Sequence, residues 1–356
     1  MITTPLDPFL LSIPLLLPGP RDDLVEDIRA LVLERAEQDT FSGTVLVALG
    51  DEVLLEMAVG EAEKRFHTPN DIETRFNLGS MNKMFTAVAA AQLVEQGELD
   101  WDDPIARWVD ESWLPREVTE RITVRHLATH TSGLGSYFNE TYEKTSRAHM
   151  RAIDDYKPLV RDERPAFDPG SRWSYSNTGM LLLGVVIEKA SGQGYYEYVR
   201  EHVYAPAGMT RTDCYEMDQP VENLAIGYER DEAAETGWRN NLYMHVIRGG
   251  PAGGGFSTVR DLHRFALALL DGKLLSVSSL DLLWSDHLGA HYGYGFSVND
   301  EPTKIVGHSG GFPGISANLD VFVESGHVVA VLSNYGTAAA QVSQRIRERV
   351  VAELTR

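Results

Sequence analysis

Strand-forming segments lie at both ends of this chain and helical segments fill the middle, a distribution that few folds accommodate. Near the start, residues 41–60 read as a hairpin turning at Gly50-Asp51. Near the end, residues 292–298, 304–307, 315–323 and 327–333 read as strands. The links at 299–303 and 324–326 are short and turn-rich, which implies antiparallel neighbours. Helical periodicity over 22–38, carried by Leu24, Ile28, Leu31 and Arg35, precedes the first hairpin, and an amphipathic helix over 341–354 follows the last strand. Between about Ser80 and Gly250 the pattern is mostly helical, broken by Gly and Pro, with no internal repeat. The simplest solution is an α+β fold: one antiparallel sheet assembled from both termini, flanked by N- and C-terminal helices, with a mainly helical insertion.

A chain of 356 residues with 43% hydrophobic content exceeds what one compact core normally holds. The expected organisation is an arm over 1–20, a sheet lobe from 21–79 plus 250–356, and a helical lobe from 80–249, with the site in the cleft between lobes. Acidic residues outnumber basic ones 52 to 32, a net charge of −20, so nucleic acid and anionic membrane surfaces are repelled. Cys214 is the only cysteine, which rules out an internal disulfide and a cysteine-based metal cluster and is compatible with a cytoplasmic location. The apolar run Phe9–Leu17 follows Asp7 rather than a basic residue and is interrupted by Pro14. It also lacks a small-x-small cleavage site and is about half the length of a membrane span, so it reads as an arm packed on the body or on a second subunit. Oligomeric state is left open.

Ser80-Met81-Asn82-Lys83 is the only Ser-x-x-Lys in the chain, and it stands where an apolar strand run passes into a helix. Residues three apart on a helix share a face, with Cβ atoms about 5–6 Å apart, so the lysine amine can reach the serine hydroxyl. A lysine activates serine only if burial or nearby positive charge lowers its pKa, so the motif implies an enclosed site. The alternative is a serine N-cap followed by a solvated lysine. Met81, Met84, Val88 and Ala91 recur at helical spacing up to Gly97, which makes this the start of a core helix.

Two further elements complete a site. Of the triplets Tyr137-Phe138-Asn139 and Tyr175-Ser176-Asn177, the second lies between a turn and a buried helix, where a phenol can share the serine's proton and the Asn177 amide can serve lysine or substrate. The first reads as a loop bordering the cleft. The last element, Gly307-His308-Ser309-Gly310-Gly311, matches the Gly-x-Ser-x-Gly elbow of α/β-hydrolases. That reading fails on context, since Phe312-Pro313-Gly314 is a poor helix start and Asp320 and His327 follow on one hairpin. His126 and His130 lack a metalloprotease glutamate, and Gly249–Gly255 lacks the Gly-Lys ending of a phosphate loop; its glycines read as a tight wall of the cleft. No metal or cofactor is expected. Thr258 reads as a helix cap, and Trp238, Tyr243, His245 and Tyr292 as candidates for an acyl pocket.

Ser80-x-x-Lys83, Tyr175-x-Asn177 and His308-Ser309-Gly310, in that order, resemble the three motifs of the serine β-lactamase and penicillin-binding-protein superfamily, closest to its class C-like branch of β-lactamases, D-Ala-D-Ala carboxypeptidases, D-aminopeptidases, family VIII esterases and acyltransferases. The resemblance spans residues 41–354 and implies the β-lactamase/transpeptidase-like fold. It implies Ser80 as acyl-accepting nucleophile, Lys83 and Tyr175 as base and acid, and Asn177, His308, Ser309, Gly310 and Gly311 as substrate contacts. The N–H groups of Ser80 and Gly311 would form the oxyanion hole. His308 replaces the lysine of many members. Being only partly charged near neutral pH, it disfavours efficient β-lactamase activity. The expectation is a serine hydrolase acting on small-molecule esters, amides or peptides. A D-amino-acid peptidase or acyltransferase is the alternative, and an inactive scaffold the remote one.

Overall fold

The computed structural model describes residues 20–355. Helix α1 (Pro20–Glu37) leads into strands β1 (Gly43–Leu49) and β2 (Glu52–Val59), and a mostly helical stretch then carries α2 (Asn82–Glu95), α3 (Asn177–Ser191) and α4 (Val259–Leu270). The chain returns through β3 (Ser297–Asn299), β4 (Ile305–Phe312), β5 (Ile315–Phe322) and β6 (His327–Ser333) and closes with α5 (Ala338–Leu354). The six strands form one antiparallel sheet in the order β2-β1-β6-β5-β4-β3. The two ends of the chain therefore meet at its centre, with Gly43 opposite Ser333 and Leu49 opposite His327.

Side chains alternate across each strand, and both faces are buried. Val45, Val47, Phe322, Val329 and Val331 face Ile28 and Val32 of α1 and Val342, Ile346 and Val350 of α5. Leu46, Ala48, Leu319, Ala330 and Leu332 join the other core with α2, α3 and α4. This explains why β5 and β6 are buried at every position and read as near-continuous apolar runs. Helix α2 is buried from Asn82 to Leu93, the environment of a central helix rather than an amphipathic surface one. The expected N-terminal arm lies outside the described residues except for Pro20. Among the described residues no helix is long and apolar enough to cross a membrane.

Two strand expectations need correction. The segment over 292–298 joins the sheet through Ser297–Asn299 and bridges back on itself from Tyr292 to Ser297, because Gly295 takes a left-handed φ of 71° and Tyr294 and Phe296 turn into the helical core. The strand over 304–307 instead runs to Phe312, since a two-residue turn at Pro313-Gly314 lets the glycine-rich stretch pair fully with β5. β3 pairs with Ile305–Gly307, so among the described residues β4 from His308 onward has no strand partner on that side. An unpaired strand edge thus faces the start of α2.

Candidate active site

Ser80 lies on the 3-10 turn Gly79–Met81 that opens α2, and neither helix start is capped by a side chain. The turn touches the open edge of β4 so closely that a Cβ on Gly310 would lie 1.8 Å from the Leu78 carbonyl oxygen. Gly79, at φ 51°, fits the same contact, since a Cβ there would lie 2.9 Å from the Gly311 nitrogen. Ser80 and Gly311 consequently line one cleft, where their N–H groups can serve the same oxygen.

Lys83 is completely buried. Its Nζ donates to Asn177 Oδ1 at 2.9 Å and to the Ala252 carbonyl at 2.5 Å, and lies 4.7 Å from the Tyr175 ring centroid. Burial alone holds its pKa well below the usual lysine range, with no carboxylate opposing the shift. A neutral amine has two N–H donors and one lone pair; the two bonds use both donors and leave the lone pair to accept a proton. The solvated-lysine alternative therefore fails, and so does a serine N-cap.

Tyr175 immediately precedes α3, whose N-cap Ser176 accepts from Gly179 N–H at 2.8 Å and donates to the Gly135 carbonyl at 2.9 Å. That double anchor fixes the residues on either side of it. Asn177 opens the helix, taking the lysine on its Oδ1 while its Nδ2 donates to Ser136 Oγ at 3.1 Å. Burial pushes the Tyr175 phenol up to about 12, partly offset by its hydrogen bond with Ser80, so the hydroxyl keeps its proton at neutral pH. The ring nevertheless retains 36% of its exposure, which places Tyr175 at the rim of the site.

His308 Nδ1 donates to the Ser309 carbonyl at 2.5 Å, and Nε2 accepts from the Tyr292 hydroxyl at 3.0 Å. Burial above all depresses its pKa to about 3. His308 is thus neutral, not partly charged as the sequence suggests, because the fold buries it; Tyr292, sixteen residues upstream, folds back to bond its second nitrogen. Ser309 is exposed on β4 and its carbonyl, not its hydroxyl, meets the histidine. Asp320 is paired with Arg347 and His327 with Ser325, so no elbow triad assembles.

The cleft beside Ser80 opens to solvent and is walled by Tyr137, Phe138, Tyr142, Val246 and Phe312, with Ala252, Gly253 and Gly254 forming another side. Phe138 and Phe312 stack across it, centroids 5.8 Å apart and planes 26° apart. Of the acyl-pocket candidates only His245 lines it. Tyr292 lies behind His308, Tyr243 is 93% exposed, and Trp238 packs at a tilt on Tyr335 with Lys64 Nζ over both rings. The aromatic wall was signalled only by the loop position of Tyr137-Phe138. Asn139 caps a short helix there by accepting from Tyr142 N–H at 3.0 Å. His126 accepts from Thr123 N–H and His130 from Ser176 N–H, and among the described residues no cluster of His, Cys, Asp and Glu could hold a metal ion. Thr258 caps α4 as expected.

Residues 22–353 match the family model described as Beta-lactamase. Penicillin-binding protein 4* of Bacillus subtilis is 32% identical over 84% of this chain and 69% of its own length. Esterase EstB of Burkholderia gladioli is 31% identical over 60% of this chain and 56% of its own. The crystal structure of a penicillin-binding protein from Bacillus halodurans superimposes with a TM-score of 0.81 at 31% identity, covering 93% of this chain and 99% of that one. The matching fold, the ordered motifs and these relatives agree, and the chain belongs to the beta-lactamase family, as a serine hydrolase of the β-lactamase and penicillin-binding-protein superfamily.

Proposed function

We propose that this enzyme hydrolyses small esters or amides through an acyl intermediate on Ser80, favouring apolar, ring-sized acyl groups. The observation that carries the reading is Lys83: a fully buried amine whose pKa burial pushes well below the usual lysine range, one helical turn from a serine that lines the cleft. In the acylation step Ser80 Oγ forms a bond to the substrate carbonyl carbon and its proton passes to the Lys83 lone pair, with negative charge on the carbonyl oxygen received by the Ser80 and Gly311 N–H groups. Tyr175, protonated and bonded to Ser80, relays that proton to the departing alcohol or amine as the carbon–heteroatom bond breaks. Water then repeats the sequence and regenerates Ser80. Asn177 holds the lysine and borders substrate.

The neutral, doubly bonded His308 supports substrates without a carboxylate beside the scissile bond, which favours ester over penicillin turnover. The second reading, a D-amino-acid peptidase or acyltransferase, rests on the penicillin-binding relatives. Native protein and Ser80→Ala are compared on p-nitrophenyl butyrate and a fluorescent penicillin, following hydrolysis and protein mass. The reading expects an acyl adduct and ester turnover only with Ser80. Turnover unchanged by the substitution refutes it, and a penicillin adduct outlasting negligible ester turnover favours the second reading.

A further inference from the structure

His130 is fully buried, carries a left-handed φ of 58°, and holds the Tyr175 segment from three directions. Its carbonyl accepts from Ser174 N–H at 2.8 Å, and its Nδ1 accepts from Ser176 N–H at 3.2 Å, the residues on either side of the tyrosine. Its ring packs on the Tyr175 ring with centroids 4.5 Å apart. The opposite neighbour is Tyr292, 4.7 Å away, whose hydroxyl donates to His308. The imidazole therefore sits between the phenol bonded to Ser80 and the phenol that fixes His308.

Packing alone does not account for a histidine here. Because Nδ1 accepts, the proton resides on Nε2, and that buried Nε2–H has no hydrogen-bond partner among the described residues. A buried donor left unpaired opposes stability. What the imidazole supplies, and an apolar ring does not, is an acceptor for the one N–H between Tyr175 and Asn177, on a ring that also packs at a tilt against Tyr175.

We infer that His130 is a positioning residue: it sets the Tyr175 hydroxyl against Ser80 and, through Tyr292, ties that placement to His308. The inference rests on the Ser80 reading and adds to it a residue that touches no substrate. His130→Asn is the informative variant, since asparagine tolerates left-handed φ and offers an acceptor near Nδ1, but removes the ring. With p-nitrophenyl butyrate, kcat is expected to fall tenfold or more while KM stays within about twofold, at an unchanged melting temperature. In a Tyr175→Phe background the same substitution should have little further effect, because the group it positions is gone. His130→Gln, which refills part of the ring volume, should recover part of kcat; if the Asn variant does not fold, Gln must show the same kcat-only loss and the same masking. An equal loss in both backgrounds, or a rise in KM at constant kcat, overturns the inference and leaves the Ser80 reading intact. Absence of Ser80-dependent turnover in the native enzyme overturns both.

Discussion

Gly310→Ala tests whether the contact between β4 and the serine turn sets the reaction geometry. The added methyl would sit 1.8 Å from the Leu78 carbonyl oxygen and 3.0 Å from the Ser80 nitrogen. Both are backbone atoms, so no rotamer change relieves the overlap, and contacts under 3.0 Å are not sustained by real Cβ atoms. Strand and turn must separate by about 1 Å or more, moving Gly311 N–H away from Ser80. A misplacement of that size costs roughly 10²-fold in rate, or about 2.7 kcal/mol of transition-state stabilisation. Overpacking of a tight interior contact adds about 1–3 kcal/mol of destabilisation. The assay pairs kcat/KM for p-nitrophenyl butyrate with a thermal melt, using Gly311→Ala as the stability control, because a Cβ there meets nothing within 4 Å. The expected result is a large loss of kcat/KM and a lower melting temperature for Gly310→Ala, with the melting temperature of Gly311→Ala unchanged. Native kcat/KM in a Gly310→Ala protein that has nonetheless lost stability would show the contact to be structural only, and would refute its role in placing the oxyanion donors.

Lys83→Met should lower kcat for the ester by roughly 10²–10⁴-fold, the usual contribution of a positioned proton acceptor, without loss of stability. The folded state depresses the Lys83 pKa, so below the ordinary lysine value the unfolded chain binds the extra proton. Native stability relative to Lys83→Met, read by urea unfolding, should therefore rise with pH on the approach to about 10. His308 follows the same sign lower on the scale: folded it resists protonation to about 3, while unfolded histidine protonates near about 6.5, so its contribution is lost as pH falls between them. Urea titrations at pH 7 and 4.5 should find His308→Gln losing roughly 2–3 kcal/mol less than native across that interval. Phe138→Ala removes one half of the stacked pair across the cleft and should reduce the preference for p-nitrophenyl phenylacetate over the acetate several-fold, at about 0.5–1.5 kcal/mol for an aromatic pair.

The sheet was legible because its strands carry their own punctuation: Gly50-Asp51 turns the first hairpin, and residues 324–326 turn the last. β4 was read short because Gly307, Gly310 and Gly311 weaken any local strand signal, and only pairing with β5 extends it. Ser80, Lys83, Tyr175 and Asn177 could be selected from context, since each stands at the start of a buried helix. The charge of His308 could not, because it depends on how completely the fold buries the ring, with Tyr292 against it on a segment that the sequence presents as a strand and that folds as a turn around Gly295. The loop of Tyr137 and Phe138 reads as bordering the cleft, but its closure by Phe312 is not legible, for a similar reason. Tyr137, Phe138 and Tyr142 belong to a loop and a single helical turn, and nothing local to them indicates that Phe312, far along the chain, closes the other side.

That dependence on distant segments follows from where the site is built. An unpaired strand edge exposes backbone donors and acceptors and ordinarily invites aggregation. Here β3 stops at Ser297, opposite Gly307, and farther along β4 Gly310 and Gly311 meet the Ser80 turn instead of another strand. Had β3 continued, it would have paired with the edge on which Gly311 faces Ser80. The glycines at 79 and 310 make the substitution of turn for strand possible, and the helical stretch between the two halves of the sheet supplies Tyr175, Asn177 and Ala252 around the buried lysine. A sheet drawn from both termini, interrupted by helices, thus places a protected strand edge, a helix start and a dry lysine within one cleft.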